Sequence, residues 1–294
     1  MSFKTLAQTA FDALGAGFLK RGIGQVDGGI RVAPVLHVES LDDDRHFNQV
    51  VDYAEHFKEV TGAKVLATVM TPLSPLVQRR LEANRFSPAE YLRRIQRLAQ
   101  ASEIGLHGHF VRRFDGSSVW PMHAAFFDRD AIEEQLRLET RWLEQHGLFS
   151  SDVRIYSGGW WFSNHQIRSQ LKELGYAIDF TLSSNPFNVT PFASRFKREL
   201  RHGLALRTED GLVSFNALCS VAQKRRPKAT VNRLALASRG KTSPVFTLYS
   251  HDYDLNLTEA KACTQLLADA GVKFVGSQAL AVMATRAAEC SPAP

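Results

Sequence analysis

Two histidines, His107 and His109, have the spacing of a pair of metal ligands on one strand. They end the apolar stretch that begins at Glu103, and residues i and i+2 of a strand project to the same side of a sheet. His37 and Glu39 repeat this spacing after another apolar stretch. Two imidazoles and one carboxylate, with coordination positions left open, are a common catalytic metal site. We therefore expect Glu39, His107 and His109 to hold a divalent ion, with zinc as the expected metal.

Proton transfer needs further groups, and the sequence offers them. His251 is followed by Asp252 and Asp254, and either carboxylate could orient the imidazole and favour its protonated form. We expect His251 to donate a proton to a leaving amine or alcohol, and we also count Asp252 among the candidate substrate contacts. His37 and Asp42 are the candidate general bases. His37 is preferred because a neutral imidazole is well matched to pH 7.

The run Gly158-Gly159-Trp160-Trp161 has two interpretations. It is either a tight turn beside core aromatic residues, or a surface where the glycine backbone approaches a ligand while the indoles stack on a sugar ring. The candidate ligands elsewhere in the chain favour the second interpretation. We therefore treat these four residues as candidate substrate-binding residues.

The elements that would position these residues alternate along the chain. Strands and helices at this spacing imply parallel pairing through right-handed crossovers. About seven such units favour an α/β fold with a distorted (β/α)7-type barrel in a single domain, with a doubly wound open sheet as the alternative. The predicted strands are Val32–Val38, Lys64–Met70, Glu103–His109, Val153–Tyr156, Tyr176–Leu182, Leu212–Asn216, Val245–Ser250 and Val272–Val275. The predicted helices are Arg45–Thr61, Ser87–Ser102, Asp128–His146, Asn164–Leu174 and Thr258–Ala270.

A barrel makes a prediction about the position of the site. The active site of such a fold lies at the carboxyl ends of the strands, where the loops converge. Four of the predicted strands end at or next to His37, His109, Tyr156 and Ser250. We expect these four ends to share one face of the barrel.

Composition and chain ends indicate a cytoplasmic protein. No apolar run approaches the roughly 18 residues of a membrane span, and the first residues lack the layout of a secretion signal. Three distant cysteines suit a reducing compartment. Residues 1–30 are predicted to form an amphipathic helix and a glycine-rich passage, followed by a barrel domain at 31–294. The apolar face of the helix at 3–20 packs on the domain or makes a peripheral membrane contact, and the first is preferred.

The 294 residues carry a net charge of +6, which is compatible with an anionic partner or with solvated loops. No finger, helix-turn-helix or aromatic RNA-stacking motif accompanies the charge, so nucleic acid is not an expected partner. Nothing in the sequence indicates an oligomeric state.

From about Val32 to Leu280, the order of these motifs resembles the polysaccharide-deacetylase superfamily, the NodB-like carbohydrate esterases. Within it, the chain is most similar to the branch that includes the deformylase of undecaprenyl-phosphate-linked aminoarabinose. The segments that carry the resemblance are Glu103-Ile104-Gly105-Leu106-His107, Ser157-Gly158-Gly159-Trp160, Leu174-Gly175-Tyr176 with Asp179, and Thr247-Leu248-Tyr249-Ser250-His251.

The resemblance implies a distorted barrel, a divalent metal and hydrolysis of an N-acyl or O-acyl group on a carbohydrate. Glu39 then stands for the family's metal-binding aspartate, and His37 occupies the position of its aspartate base. His107 matches the first ligand histidine. The second ligand of the family falls on Val111, so His109 would substitute, and the arginine that orients the base is Ser157 here.

Three functions remain open. The first is a metal-dependent deacetylase or deformylase acting on an amino sugar, free or linked to a lipid or a nucleotide. The second is a catalytically degenerate barrel that binds a glycan or a protein. The third is a different metal hydrolase, on the same barrel, that acts on a small amide.

Overall fold

Parallel strands curl into a half-barrel that helices surround. The computed structural model describes residues 29–121, 129–149, 151–161, 163, 165–181, 206–207, 212–215, 217–221, 227–238 and 244–289. The predicted helix at 3–20 lies outside these residues, as does most of the glycine-rich passage. None of the helices in the described part of the chain has the length and apolar character of a membrane span.

The strands occur where the sequence alternates or runs apolar. Their bounds are β1 Arg31–Val38, β2 Val65–Val69, β3 Ser102–Gly108, β4 Val111–Asp115, β5 Ser118–Pro121, β6 Arg154–Gly158, β7 Tyr176–Asp179, β8 Leu206–Arg207, β9 Val213–Ser214, β10 Ala217–Ser220, β11 Val245–His251 and β12 Lys273–Phe274.

The helices begin at capping residues where the sequence provides them. Asp43 accepts a hydrogen bond from the backbone N–H of His46 at the start of α1, and Ser87 caps the helix that opens with Pro88. The bounds are α1 Asp44–Thr61, α2 Pro75–Asn84, α3 Pro88–Ala99, α4 Arg129–Gln145, α5 His165–Glu173, α6 Pro227–Ser238, α7 Leu257–Asp269 and α8 Ser277–Glu289.

The order of the strands is that of a barrel. In the described part of the chain, seven strands of four or more residues are parallel neighbours in the order β10-β11-β1-β2-β3-β6-β7. β11, which comes late in the chain, pairs with β1, as the strands of a barrel do. In a doubly wound sheet the strand order would instead reverse in the middle. Within the described residues, the sheet path runs from β10 to β8 without a pairing between these two strands. The predicted distorted (β/α)7 barrel is confirmed, as a half-barrel instead of a closed ring.

Several elements have no counterpart among the predicted ones. Helix α2 begins at Pro75, in a stretch where the sequence pattern predicts no helix. Proline suits the first position of a helix because its missing N–H would be unsatisfied there in any case. The β4–β5 hairpin turns at Gly116, whose φ of 55° is left-handed. Helices α6 and α8 and strand β10 are likewise additions to the prediction.

The strand ends differ from the predicted ones by one or two residues. The four strands end at Val38, Gly108, Gly158 and His251. Because these strands are parallel, their carboxyl ends lie at one edge of the sheet, as expected.

The inner face of the half-barrel changes character along each strand. At the beginnings of the strands it is apolar, and Ala33, Val35 and Ile155 belong to one buried cluster. Alternation places His37 on the same face as Val35, and Ser157 on the same face as Ile155. The face that packs the core at one end therefore carries polar groups at the other.

Candidate metal centre

The ends of β1 and β3 bring Glu39, His107 and His109 together. The Nε2 atoms of the two histidines are 3.0 Å apart. Glu39 Oε1 lies 3.2 Å from Nε2 of His107 and 3.5 Å from Nε2 of His109. Both imidazoles are buried and the carboxylate is nearly so. Among the described residues, these three form a group whose ligand atoms could surround a metal ion.

The spacing of the three ligand atoms fits a small divalent ion. In a tetrahedral zinc site with bonds of about 2.0–2.1 Å, neighbouring ligand atoms lie about 3.3 Å apart. The separations of 3.0, 3.2 and 3.5 Å bracket that value. Three protein ligands leave a fourth position open, as catalytic zinc sites require.

The charge states of these residues also fit a metal. Burial lowers the pKa of His107 to about 4, so its imidazole is neutral at pH 7. Burial alone would raise the pKa of the Glu39 carboxyl, but hydrogen bonds with His107 and His109 hold that pKa well below its usual range. Neutral imidazole and ionised carboxylate are the forms that bind cations.

Glu39 is held by its backbone. The N–H groups of Glu39 and Ser40 both donate to Asp252 Oδ2, at 2.9 Å for Glu39. The guanidinium of Arg80, on α2, donates to the carbonyl of Glu39. Asp252 is buried and also accepts from the N–H of Tyr253. Burial raises the pKa of the Asp252 carboxyl to about 7. The structure thus gives Asp252 a supporting position under Glu39, and its contact with a substrate stays a prediction.

His109 is held from two sides. Gln135, on α4, donates to its carbonyl oxygen at 3.0 Å. On the other side the imidazole lies against Gly159, where an added Cβ would come within 2.2–2.4 Å of the ring. The indole of Trp160 meets the same imidazole edge to face, with ring centroids 4.4 Å apart.

His37 and His251 complete a continuous group of imidazoles. They are register partners on β1 and β11, with ring centroids 5.0 Å apart, and His37 also stacks on His107 at 4.8 Å. Burial lowers the pKa of His37 well below the usual value for histidine. His251 Nε2 lies 3.9 Å from Glu39 Oε1.

The structure selects between the two acidic residues that follow His251. Asp254 Oδ2 lies 3.3 Å from His251 Nδ1, and Asp254 Oδ1 accepts from the backbone N–H of His251. Nδ1 therefore faces a carboxylate while Nε2 faces the cluster. Tyr253 stacks on the same imidazole at 4.9 Å and is 50% exposed.

Asp42, the other candidate base, is engaged elsewhere. Its two oxygens accept from Arg80 Nε at 3.1 Å and from Asn84 Nδ2 at 3.0 Å, both on α2. Its carboxylate fastens that helix to the loop after β1. Its role as a base stays a prediction.

The Gly158–Trp161 run forms the turn that follows β6. Gly158 is buried and its N–H donates to Thr181 Oγ1 at 2.6 Å. Trp160 has left-handed backbone angles, φ 52° and ψ 18°, and its side chain is 42% exposed. Such angles are unfavourable for a bulky residue and persist only where the surroundings hold them. The side chain of Trp161 lies outside what the structure describes.

Four contributors to the site were missed by sequence reasoning: Thr68, Arg80, Gln135 and Tyr253. Thr68 is the residue before the last of β2, on the inner face, so its position near a strand end could have indicated it. Arg80 lies on a helix that was not predicted. Gln135 acts through a backbone carbonyl, which leaves no pattern in the sequence.

Comparison with known proteins identifies solved structures of similar fold. No family model matches the chain, and no curated protein is similar to it in sequence. A Mycobacterium smegmatis protein, described provisionally as a polysaccharide deacetylase, is 17% identical over 90% of this chain and 93% of its own, with a TM-score of 0.55. A 4-alpha-glucanotransferase from Thermococcus litoralis is 11% identical over 85% of this chain, which spans only 40% of that enzyme, with a TM-score of 0.52. At these identities the likeness concerns the fold, and the chain has the fold of the deacetylase-type structure that it matches.

Proposed function

We propose that the protein is a metal-dependent hydrolase that removes an N-acyl or O-acyl group from an amino sugar, free or linked to a lipid or nucleotide carrier. One observation carries the proposal. A three-residue ligand set with an open position lies beside two further imidazoles at the carboxyl ends of parallel strands. The fold of a structure described as a polysaccharide deacetylase supports the carbohydrate class.

In this proposal Glu39, His107 and His109 hold the ion. A divalent ion, with zinc expected, supplies Lewis acidity that lowers the pKa of water from near 16 toward about 7 and polarises an acyl carbonyl. His37 is the general base of this proposal; burial lowers its pKa, which keeps the imidazole neutral and also makes it a weaker base than an exposed histidine. His251 donates a proton to the leaving amine or alcohol, and Asp254 orients its ring through Nδ1.

The substrate-binding part of the proposal rests on the turn after β6. The backbone of Gly159 lies against the His109 imidazole, Gly158 precedes it in the same turn, and the exposed Trp160 meets the imidazole edge to face. An aromatic face next to the ligand set suits stacking on a pyranose ring. Changing Trp160 to alanine should raise KM for an amino-sugar substrate and leave bound metal unchanged.

The decisive experiment compares His107→Ala with His251→Ala. Bound metal is measured by elemental analysis, and turnover by release of acetate or formate from amino-sugar substrates. His107→Ala should lose metal and turnover together. His251→Ala should keep its metal while turnover falls roughly 10²–10⁴-fold, as for the loss of one acid–base group.

Asp42→Asn serves as a third variant because its carboxylate is bonded to α2. If His37 is the base, this change lowers stability with little effect on the pH profile, and His37→Ala lowers turnover instead. Equal metal loss in the His107 and His251 variants would refute the division of roles. A parent protein without activity under any metal would favour the binding module, for which the replacement of the family's arginine by Ser157 is the supporting observation.

A further inference from the structure

We infer that Ser157 and Thr68 are positioning residues that fix which ring nitrogen of His107 carries its proton. The inference rests on the proposed metal site, since its consequence is that Nε2 of His107 is kept as a ligand. Neither hydroxyl is expected to touch the substrate.

The contacts form a continuous series of hydrogen bonds. His107 Nδ1 lies 2.6 Å from Ser157 Oγ, and Ser157 Oγ lies 2.6 Å from Thr68 Oγ1. Thr68 Oγ1 donates to the carbonyl of Leu36 at 3.3 Å. Ser157 and Thr68 are fully buried. Their hydrogen bonds therefore have no competition from bulk water, and a broken one leaves a buried polar atom unsatisfied.

The last acceptor, the Leu36 carbonyl, bears on which atom donates in each hydrogen bond of the series. The Leu36 carbonyl can only accept, so the hydroxyl hydrogen of Thr68 is used there. In that arrangement Thr68 Oγ1 accepts from Ser157, whose own hydroxyl is thereby used as a donor. Ser157 Oγ is left to accept from Nδ1–H of His107. In this arrangement a neutral His107 carries its proton on Nδ1, and Nε2 carries a lone pair.

This tautomer is the one that a metal site needs. This tautomer replaces the hydrogen bond between His107 Nε2 and Glu39 Oε1, which are 3.2 Å apart, by a lone pair on Nε2 that a cation can use; His109 Nε2 lies 3.0 Å away. The opposite tautomer would place an N–H among the ligand atoms, where it would be satisfied by Glu39 and would compete with a cation. Partners that donate or accept at the outer nitrogen of a ligand histidine fix its orientation in many metal sites.

The hydrogen bond between the two hydroxyls crosses β3 near Gly105. β3 lies between β2 and β6, with Thr68 paired to Gly105 and Ser157 paired to His107. The hydroxyls of Thr68 and Ser157, from the strands on either side of β3, therefore meet across that strand. Any side chain at Gly105 would overlap Ile155, since an added Cβ comes within 2.3 Å of it.

The test uses Thr68→Val, which keeps the shape of the side chain and removes the hydroxyl, with Thr68→Ser as the variant that restores it. In Thr68→Val the Ser157 hydrogen loses its acceptor and turns to His107 Nδ1, so the ring proton moves to Nε2. Nitrogen-15 NMR of the His107 ring in metal-free protein reads the tautomer directly. The zinc dissociation constant, from competition with a chromophoric chelator, reads the consequence.

We expect the parent and Thr68→Ser to carry the proton on Nδ1, and Thr68→Val to carry it on Nε2. Zinc affinity should fall about 10–100-fold in Thr68→Val and Ser157→Ala, the usual range for such outer partners. Ser102→Ala is the matched control, because it removes a buried hydroxyl from the other end of β3. It should leave both readouts unchanged.

An unchanged tautomer in Thr68→Val would overturn the inference, as would parental zinc affinity in both Thr68→Val and Ser157→Ala. A different result would refute the proposed function. If the parent binds no zinc, the metal site is refuted, and the NMR measurement still decides whether the hydroxyls set the tautomer.

Discussion

At the scale of single residues, the site depends on the absence of a side chain at Gly159 as well as on the polar groups around it. Gly159 leaves the space that the His109 imidazole fills, and Trp160 then covers that ring in a left-handed backbone conformation. Glu39 is ionised while the surrounding imidazoles of His37 and His107 are neutral. The cluster is therefore ready to bind a cation at neutral pH.

Gly159→Ala tests the packing of His109. The new methyl group would lie 2.2–2.4 Å from ring atoms, so the imidazole must move. We expect zinc affinity to fall at least about tenfold and the free energy of unfolding to fall by about 1–3 kcal/mol. Titration with zinc and urea unfolding measure the two effects.

Gly62→Ala is the control for that change. Gly62 ends α1 with φ 71° and has open space around its Cα. Alanine there should reduce stability by about 1–2 kcal/mol through backbone strain alone and leave zinc affinity intact. Parental zinc affinity in Gly159→Ala would show that His109 is not a ligand.

At the scale of elements, helices outside the half-barrel hold the strand ends in place. Arg80 of α2 bonds the carbonyl of Glu39, and Gln135 of α4 bonds the carbonyl of His109. Gln135 also donates to Glu139 Oε1 at 2.7 Å, and Thr71, after β2, donates to Glu139 Oε2 at 2.8 Å. Glu139 thus links α4 to the end of β2 from a buried position.

Glu139→Gln should change how stability depends on pH. Burial raises the pKa of Glu139 to about 7, above the value of about 4.3 in an unfolded chain. The protonated form is favoured in the folded state, so its contribution is present below about pH 4.3 and is lost as pH rises to about 7. The loss amounts to about 2–4 kcal/mol. Relative to the parent, Glu139→Gln should therefore become more stable between pH 5 and pH 8.

Urea unfolding of both proteins at the two pH values measures this difference. Glu134→Gln, an exposed position on the same helix, is the matched control and should shift stability equally at both. A difference between Glu139→Gln and the parent that does not vary with pH would mean that the carboxyl is ionised in the folded protein.

At the scale of the whole molecule, the candidate ligands lie in or directly after β1 and β3, whose other ends belong to the core. Metal binding should therefore stabilise the entire fold. Zinc at 100 times its dissociation constant would add about 2.7 kcal/mol to the free energy of unfolding, or roughly 5 °C in Tm for a chain of this size.

Differential scanning fluorimetry with zinc and with chelator measures this shift in Tm. His107→Ala should abolish it. His146→Ala, at the end of α4 where the imidazole contacts the Trp142 carbonyl, should keep it. Persistence of the shift in His107→Ala would mean that zinc binds elsewhere.

Much of this could be predicted from the sequence because it depends on short-range patterns. Alternation with a period of two placed His37 on the same face as Glu39, and His107 on the same face as His109. The alternation of strands and helices indicated a barrel whose strand ends meet at one edge. Helix α2 and the β4–β5 hairpin escaped prediction because their signals are single turn or capping residues, without a longer period.

Other features were decided only by the tertiary structure. Asp254, and not Asp252, orients His251, because Asp252 turns toward the backbone of Glu39, 213 positions away in the chain. Asp42 bonds α2, and the hydroxyl of Ser157 meets Thr68 across β3. Each of these depends on a hydrogen bond between residues distant in sequence, whose partners are chosen by distance and direction in the folded chain. Residue type and spacing therefore determined which groups reach the site, and packing determined which atom each group turns toward it.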